Sequence, residues 1–93
     1  MWDRDKNETN RAKHGIDFET ATQVFEDPFR TTIEDPHFDE PRLRTVGMVD
    51  NTLVMVVHTF PRFDPRSGGE IARIITARRA TRHERRTYEE GPR

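Results

Sequence analysis

The sequence predicts a small α+β fold: two N-terminal helices packed on a small antiparallel sheet, followed by a C-terminal helix. Three observations carry this expectation. Helix-capping residues frame two segments before Pro28. Runs rich in β-branched residues, separated by turn residues, follow from Arg42 onward. The stretch 81–90 then returns to helical signals but is almost all charge. With 93 residues the chain has room for one domain, expected to span 1–93.

Met1-Trp2-Asp3 reads as the end of a short strand, with Asp3 or Asp5 as the N-cap of a helix running to His14. Gly15 sits where a left-handed C-cap belongs, and Ile16 supplies the apolar contact that follows one. Lys6, Asn10 and Lys13 fall on one helical face. Asp17 caps a second helix whose apolar stripe is Phe18, Ala21, Val24 and Phe25, and Pro28 stops it. A strand at 29–33 and an acidic, proline-rich loop come next. Residues 42–49 and 53–59 read as strands joined by the turn Asp50-Asn51. Leu53-Val54-Met55-Val56-Val57 is apolar on both faces, which places it at the centre of the sheet. A loop is expected over 60–70, a last strand over 71–77, and a last helix over 81–90, ended by Gly91-Pro92.

Composition narrows the functional classes. Hydrophobic residues make up 31% of the chain and charged residues 35%, so the core is expected to be thin. There is no cysteine, hence no thiolate metal site or disulfide. No apolar run reaches the length of a membrane span and no signal-peptide pattern opens the chain, so the expected setting is cytoplasmic, with no membrane partner. The net charge of −1 conceals a division. Residues 1–41 carry 5 basic and 11 acidic side chains, against 11 basic and 6 acidic in 42–93. Arginine supplies 14 of the 16 basic groups. Its planar fork matches phosphate oxygens and stacks on bases, so the C-terminal half suits a phosphate-rich partner. A solvated surface with internal ion pairs accounts for the same composition.

Trp2-Asp3, Lys6, Asn10, Lys13-His14-Gly15-Ile16, Phe18-Glu19, Ala21, Val24-Phe25 and Asp27-Pro28 together resemble the N-terminal signature of BrnT toxins. Arg42, Gly47, the 53–59 strand, Arg73-Ile74-Ile75-Thr76-Ala77-Arg78, Ala80-Thr81, Glu84-Arg85 and Tyr88-Glu89 resemble the remainder. The resemblance implies a RelE-like fold and a type II toxin–antitoxin system. It also implies an endoribonuclease needing no metal or other cofactor. The implied partners are an RNA substrate and a BrnA-like ribbon-helix-helix antitoxin, through which operator DNA is bound and the operon repressed. Two departures stand out. Family members usually carry a residue or two before Trp-Asp, so the first strand is expected to be short. The 60–70 loop is longer than the tight turn usual there.

Metal-independent RNA cleavage uses the substrate's own 2′-hydroxyl as nucleophile. It therefore needs a base, an acid, and cations for the charge that develops on phosphorus-bound oxygens. On the resemblance, Arg73 and Arg78 are the phosphate clamps, and His14, Glu84 and Tyr88 the acid–base candidates. Lys13, Arg42, Arg79, Arg82 and Arg85 are candidate RNA contacts. Each has a structural alternative. Arg73 could pair with an acidic N-terminal side chain, and Arg78 could make a surface or helix-entry contact. Thr81 and Glu84 form a capping box, which explains both without chemistry. Tyr88 could anchor its helix on the sheet, and Lys13 and His14 suit a helix C-terminus. His58 reads as a hydrogen-bonded core residue and His83 as solvated. Asp35, His37 and Asp39 alternate as metal ligands can, but no second ligand cluster accompanies them.

In an unbroken strand Arg73 and Arg78 point to opposite faces, and share a site only if the chain turns near Thr76 and Ala77. The nuclease reading expects these guanidinium groups to meet in one pocket, free of neutralising carboxylates, between the sheet and the last helix. The antitoxin would cover this surface with carboxylates and an apolar segment. The alternative is a non-catalytic module or corepressor that binds a DNA-binding antitoxin through the same arginines.

Overall fold

A computed structural model describes residues 1–36 and 39–91. Helix α1 (Arg4–His14) begins at Asp3, whose carboxylate accepts from the backbone N–H groups of Asp5 and Lys6, at 2.8 and 3.1 Å. It ends at Gly15 with φ 74°, a left-handed conformation that costs glycine nothing. Asp17 caps α2 (Phe18–Ala21), accepting from the Thr20 N–H at 2.7 Å. The expected second helix changes character after one turn and continues as a 3₁₀ segment, Thr22–Glu26. The tighter winding still buries Phe18, Ala21 and Val24.

The main sheet contains β1 (Thr31–Asp35), β2 (Arg42–Val49), β3 (Thr52–Thr59) and, later in the chain, a strand at Ile74–Arg79. Between them the expected 60–70 loop folds into a hairpin of its own, β4 (Arg62–Asp64) and β5 (Gly69–Ile71). The later strand is β6. It starts beyond the expected position because Ile71 is taken by the hairpin. The sheet order is β1-β2-β3-β6, antiparallel throughout, so the doubly apolar β3 is internal. β2 and β3 meet at Asp50, which turns with φ 53°. Between Val57 and His58 the register with β6 slips, leaving Ile75 as an extra residue in a β-bulge. The closing helix α3 (Arg82–Glu90) carries the expected capping box at Thr81 and Glu84. No helix among the described residues is long and apolar enough to cross a membrane.

Alternation along the strands sorts the core into two layers. One face sends Val49, Val54, Val56, Ile74 and Ala77 against Phe18, Ala21 and Val24. Residue 47 on this face is glycine because a Cβ there would come within 2.8 Å of the Val24 carbonyl oxygen. The other face presents Val46, Leu53, Met55 and Val57, with Met48, Ile75, Ala80 and Tyr88 packed on them. Helix α3 contributes no fully buried residue to that layer.

Asn10 is the buried exception on an otherwise solvated α1. Its side-chain amide donates to the carbonyls of Ile16 (2.9 Å) and Ala77 (2.8 Å). Its oxygen accepts from the Ala77 N–H (3.1 Å) and the Thr76 hydroxyl (2.8 Å). The amide thereby satisfies both backbone groups of Ala77 on the outer edge of β6. Asn10→Ala should lower stability by about 3 kcal/mol, since several buried partners lose their bonds together. Urea unfolding at neutral pH checks this, and an unchanged midpoint would contradict it.

His58 is buried, as expected of a core histidine. Its Nε2 lies 2.7 Å from the Thr45 hydroxyl and its Nδ1 3.0 Å from the Thr59 carbonyl, and its ring stands edge-on to Phe25. Burial lowers its pKa from the usual 6.5, against a smaller opposing pull from the Thr59 carbonyl. The unfolded chain therefore takes up the proton first. Stability should fall as pH drops below 6.5 and through the folded pKa. In a His58→Gln variant that part of the acid dependence of the melting temperature should disappear.

Candidate functional site

The sheet face that carries α3 also carries arginine. Cross-strand pairing places Arg42 opposite Thr59 and Arg44 opposite Val57. It places Arg78 opposite Met55, so all three project to the same side. Near the start of α3 this face forms a pocket of about 350 Å³. Arg44, Arg78, His83 and Glu84 supply its charged and titratable walls, with Thr31, Ile33, Val46, Thr81 and Thr87 completing the lining.

At its edge Arg78 and Glu84 form a two-pronged pair, Nη1 to Oε1 at 2.9 Å and Nη2 to Oε2 at 3.0 Å. Glu84 Oε1 also accepts from the Thr81 N–H at 2.9 Å, so one carboxylate both caps α3 and joins it to β6. Burial acts to raise the Glu84 pKa. The hydrogen bonds from Arg78 and Thr81 and the Arg78 charge outweigh it, and the group stays ionised below the ordinary range. Arg44 is held by Asp35, with Nη2 to Oδ1 at 2.7 Å.

The remaining candidates lie elsewhere. Arg73 precedes β6 and pairs with Glu40 at 2.8 Å, in a separate cavity beside the β4–β5 hairpin. His14 and Arg79 line a shallow depression with Val49 and Val54, on the α1–α2 side of the sheet. Lys13 joins Lys6 and Asn10 in a neighbouring one. Arg82 and Arg85 are exposed on α3, and Arg85 approaches Glu89 at 3.9 Å. Tyr88 lies beneath α3, its hydroxyl donating to Asp27 Oδ2 at 2.5 Å.

The expected meeting of Arg73 and Arg78 in one uncompensated pocket is therefore not what the fold builds. The bulge at Ile75 turns Arg73 to the same face as Arg78, but Arg73 stands opposite Thr59 at the end of the sheet, four residues along β3 from Met55 opposite Arg78. Both arginines already hold a carboxylate. Arg44 is the charged pocket residue that the sequence reading missed; His83, read as solvated, is exposed on α3 and lines the pocket. The signal for Arg44 was present: in Arg42-x-Arg44 the two side chains share a strand face. His37 lies outside the described residues, and Asp35 of the same motif is the partner of Arg44.

Residues 2–84 match the family model described as ribonuclease toxin, BrnT, of type II toxin-antitoxin system. The chain belongs to the BrnT family. No curated protein matches it. Membership in a family of ribonuclease toxins implies an RNA substrate and an antitoxin partner. The matched stretch contains Arg44, Arg78, His83 and Glu84, and ends before Tyr88.

In this BrnT chain Tyr88 secures the helix that closes the pocket. Its hydroxyl shares Asp27 with the N–H groups of Met48 and Phe29, both at 2.8 Å. The hydrogen bond to Asp27 comes first among the causes that push the phenol up to about 12, followed by burial and the Asp27 charge. This contribution is present below pH 10 and is lost as pH rises through the folded pKa. Tyr88→Phe should destabilise by about 1 kcal/mol, the bond being partly solvated. The melting temperature should drop by roughly 4–8 °C. Thermal unfolding at pH 7 measures it, and a melting temperature equal to the parent's would remove the anchor role.

Proposed function

We propose that the chain is a metal-independent endoribonuclease whose cleavage site is the pocket between β1, β2, β6 and α3. The observation that carries this reading is a largely enclosed carboxylate, Glu84, paired with the guanidinium of Arg78 on the wall of a pocket that also holds Arg44 and His83. A phosphodiester entering this pocket brings a dianionic transition state that can take over Arg78 and Arg44 from Glu84 and Asp35. Glu84, released and ionised, accepts the proton of the 2′-hydroxyl. The 2′-oxygen attacks phosphorus, the bond to the 5′-oxygen breaks, and His83 delivers a proton to that oxygen as the general acid. The products are a 2′,3′-cyclic phosphate and a 5′-hydroxyl end.

The order of elements supports a RelE-like arrangement. A BrnA-like ribbon-helix-helix antitoxin is the proposed partner, occluding the pocket and carrying the complex to operator DNA in operon autorepression. His14 and Arg79 line the other side of the sheet and Lys13 lies beside the outer edge of β6, and none is assigned a step. Tyr88 acts by holding α3.

The alternative, a non-catalytic module or corepressor, draws on one observation: Arg44, Arg73 and Arg78 each already hold a carboxylate of their own chain. Purified protein and labelled RNA in EDTA separate the two. The nuclease reading expects cleavage to persist in EDTA and to fall about 10²–10³-fold in Arg78→Ala. Glu84→Gln keeps a side chain acceptable at the third helical position but removes the base, so cleavage should fall about 10²-fold with the fold intact. Tight antitoxin binding without RNA cleavage by the parent would decide for the corepressor.

A further inference from the structure

The β4–β5 hairpin builds a cavity that the proposed cleavage chemistry does not use. It encloses about 520 Å³, within the range of small-ligand sites, between Thr59, Phe60, Arg62, Ile71, Arg73 and Glu40. Phe60 is 43% exposed, a large aromatic turned to solvent beside two guanidinium groups. The Arg73–Glu40 pair is itself exposed, so a phosphate can displace the carboxylate at small cost. An aromatic platform with arginines at its rim is how proteins hold a base and its phosphate without reading sequence.

The cavity is also joined to the cleavage pocket by the sheet face. Arg44 lines that pocket, and Arg42, two residues away on the same face, stands opposite Thr59. Thr59 in turn accepts from the backbone N–H of Arg73 at 2.9 Å and lines the cavity. The Nε of Arg42, midway along this line, is buried without a hydrogen-bond partner among the described residues. From Met55, opposite Arg78, to Thr59 is four residues of extended strand, about 13 Å. A nucleotide has six backbone bonds against three for a residue, so this distance takes about two nucleotide steps.

We propose that the hairpin cavity is a second nucleotide subsite for single-stranded RNA. Phe60 stacks on a base and Arg62 and Arg73 hold the adjoining phosphate, about two nucleotides from the bond cut beside Arg78. The proposal rests on the nuclease reading for its substrate class, but binding can be measured without cleavage. The probe is a fluorescein-labelled, fully 2′-O-methylated hexanucleotide of mixed sequence, which lacks the attacking hydroxyl. It is compared with the corresponding dinucleotide by fluorescence anisotropy.

The parent should bind the hexamer more tightly than the dimer. Phe60→Ala/Arg62→Ala should weaken hexamer binding about tenfold and abolish the advantage of length. The slope of log affinity against log salt should also shrink by about 0.7, the loss of one phosphate contact. Phe60→Trp, which keeps a stacking face, should retain parental affinity. Both side chains are exposed, and circular dichroism of the variants verifies the fold. Unchanged hexamer affinity in the double variant, or no hexamer binding by the parent, overturns the subsite. So does a loss confined to antitoxin affinity, which would make this surface a protein interface. Cleavage that survives Arg78→Ala counts against the cleavage site alone and leaves this measurement standing.

Discussion

The shape of the arginine-bearing face depends on one carboxylate. Asp27, just after the 3₁₀ segment, receives the Tyr88 hydroxyl together with the backbone N–H groups of Phe29 and Met48. Three parts of the chain are thereby fixed to one another: the approach to β1, the end of β2 beside its turn into β3, and α3. Helix α3 needs this fastening because it is strongly charged and buries no residue fully. Hydrophobic packing alone gives it little reason to stay. The Tyr88 bond holds its C-terminal half and the Arg78–Glu84 pair holds its first turn. Between these two points the helix lies over the sheet and defines a pocket wall.

The same economy explains why Arg44, Arg73 and Arg78 are not free. A guanidinium left on a partly covered sheet face without a counter-charge would be costly, and one partner from the same chain relieves that cost. Asp35, Glu40 and Glu84 serve Arg44, Arg73 and Arg78 in turn. These pairs are exposed to different degrees, and the Glu84 side chain, at 12% accessible, is the most enclosed of the acceptors. Exchanging a carboxylate for a phosphate conserves charge at each position. A cleft of this kind can stay neutral overall while still suiting a polyanion, in keeping with the chain's near-zero net charge.

Much of the fold was legible in the sequence because it is written in local chemistry. Asp3, Gly15, Asp17 and Thr81 sit at helix ends as capping rules require, and the doubly apolar 53–57 run lies inside the sheet. What escaped was set by tertiary geometry. Residues 60–70 contain prolines and glycines that read as loop, yet pair as a hairpin and displace the start of β6. The bulge at Ile75 follows from how β6 meets β3, and no residue type announces it. The site shows the same division. The double role of Glu84 could be read in part, since a capping box is a local pattern. The placement of Arg73 relative to Arg78 could not, because the bulge resets the alternation of faces between them and the hairpin sets where β6 begins. Arg44 was readable and missed, its alternation with Arg42 being a strand-level signal.

Asn10 has an effect beyond stability. Its amide presents a donor and an acceptor to Ala77 much as a neighbouring strand would, and Trp2 bridges to Ile74 further along the same edge. One border of the sheet is thus largely sealed by short pieces of the N-terminal region. At the opposite border β1 has a neighbour on one side only among the described residues, and its Ile33 faces outward. Any polypeptide that extended this sheet would find its hydrogen-bonding groups at β1, with its side chains arriving at the mouth of the Arg78 pocket. The molecule is polarised in this sense: growth is discouraged on the flank guarded by Asn10 and admitted on the flank beside the arginines.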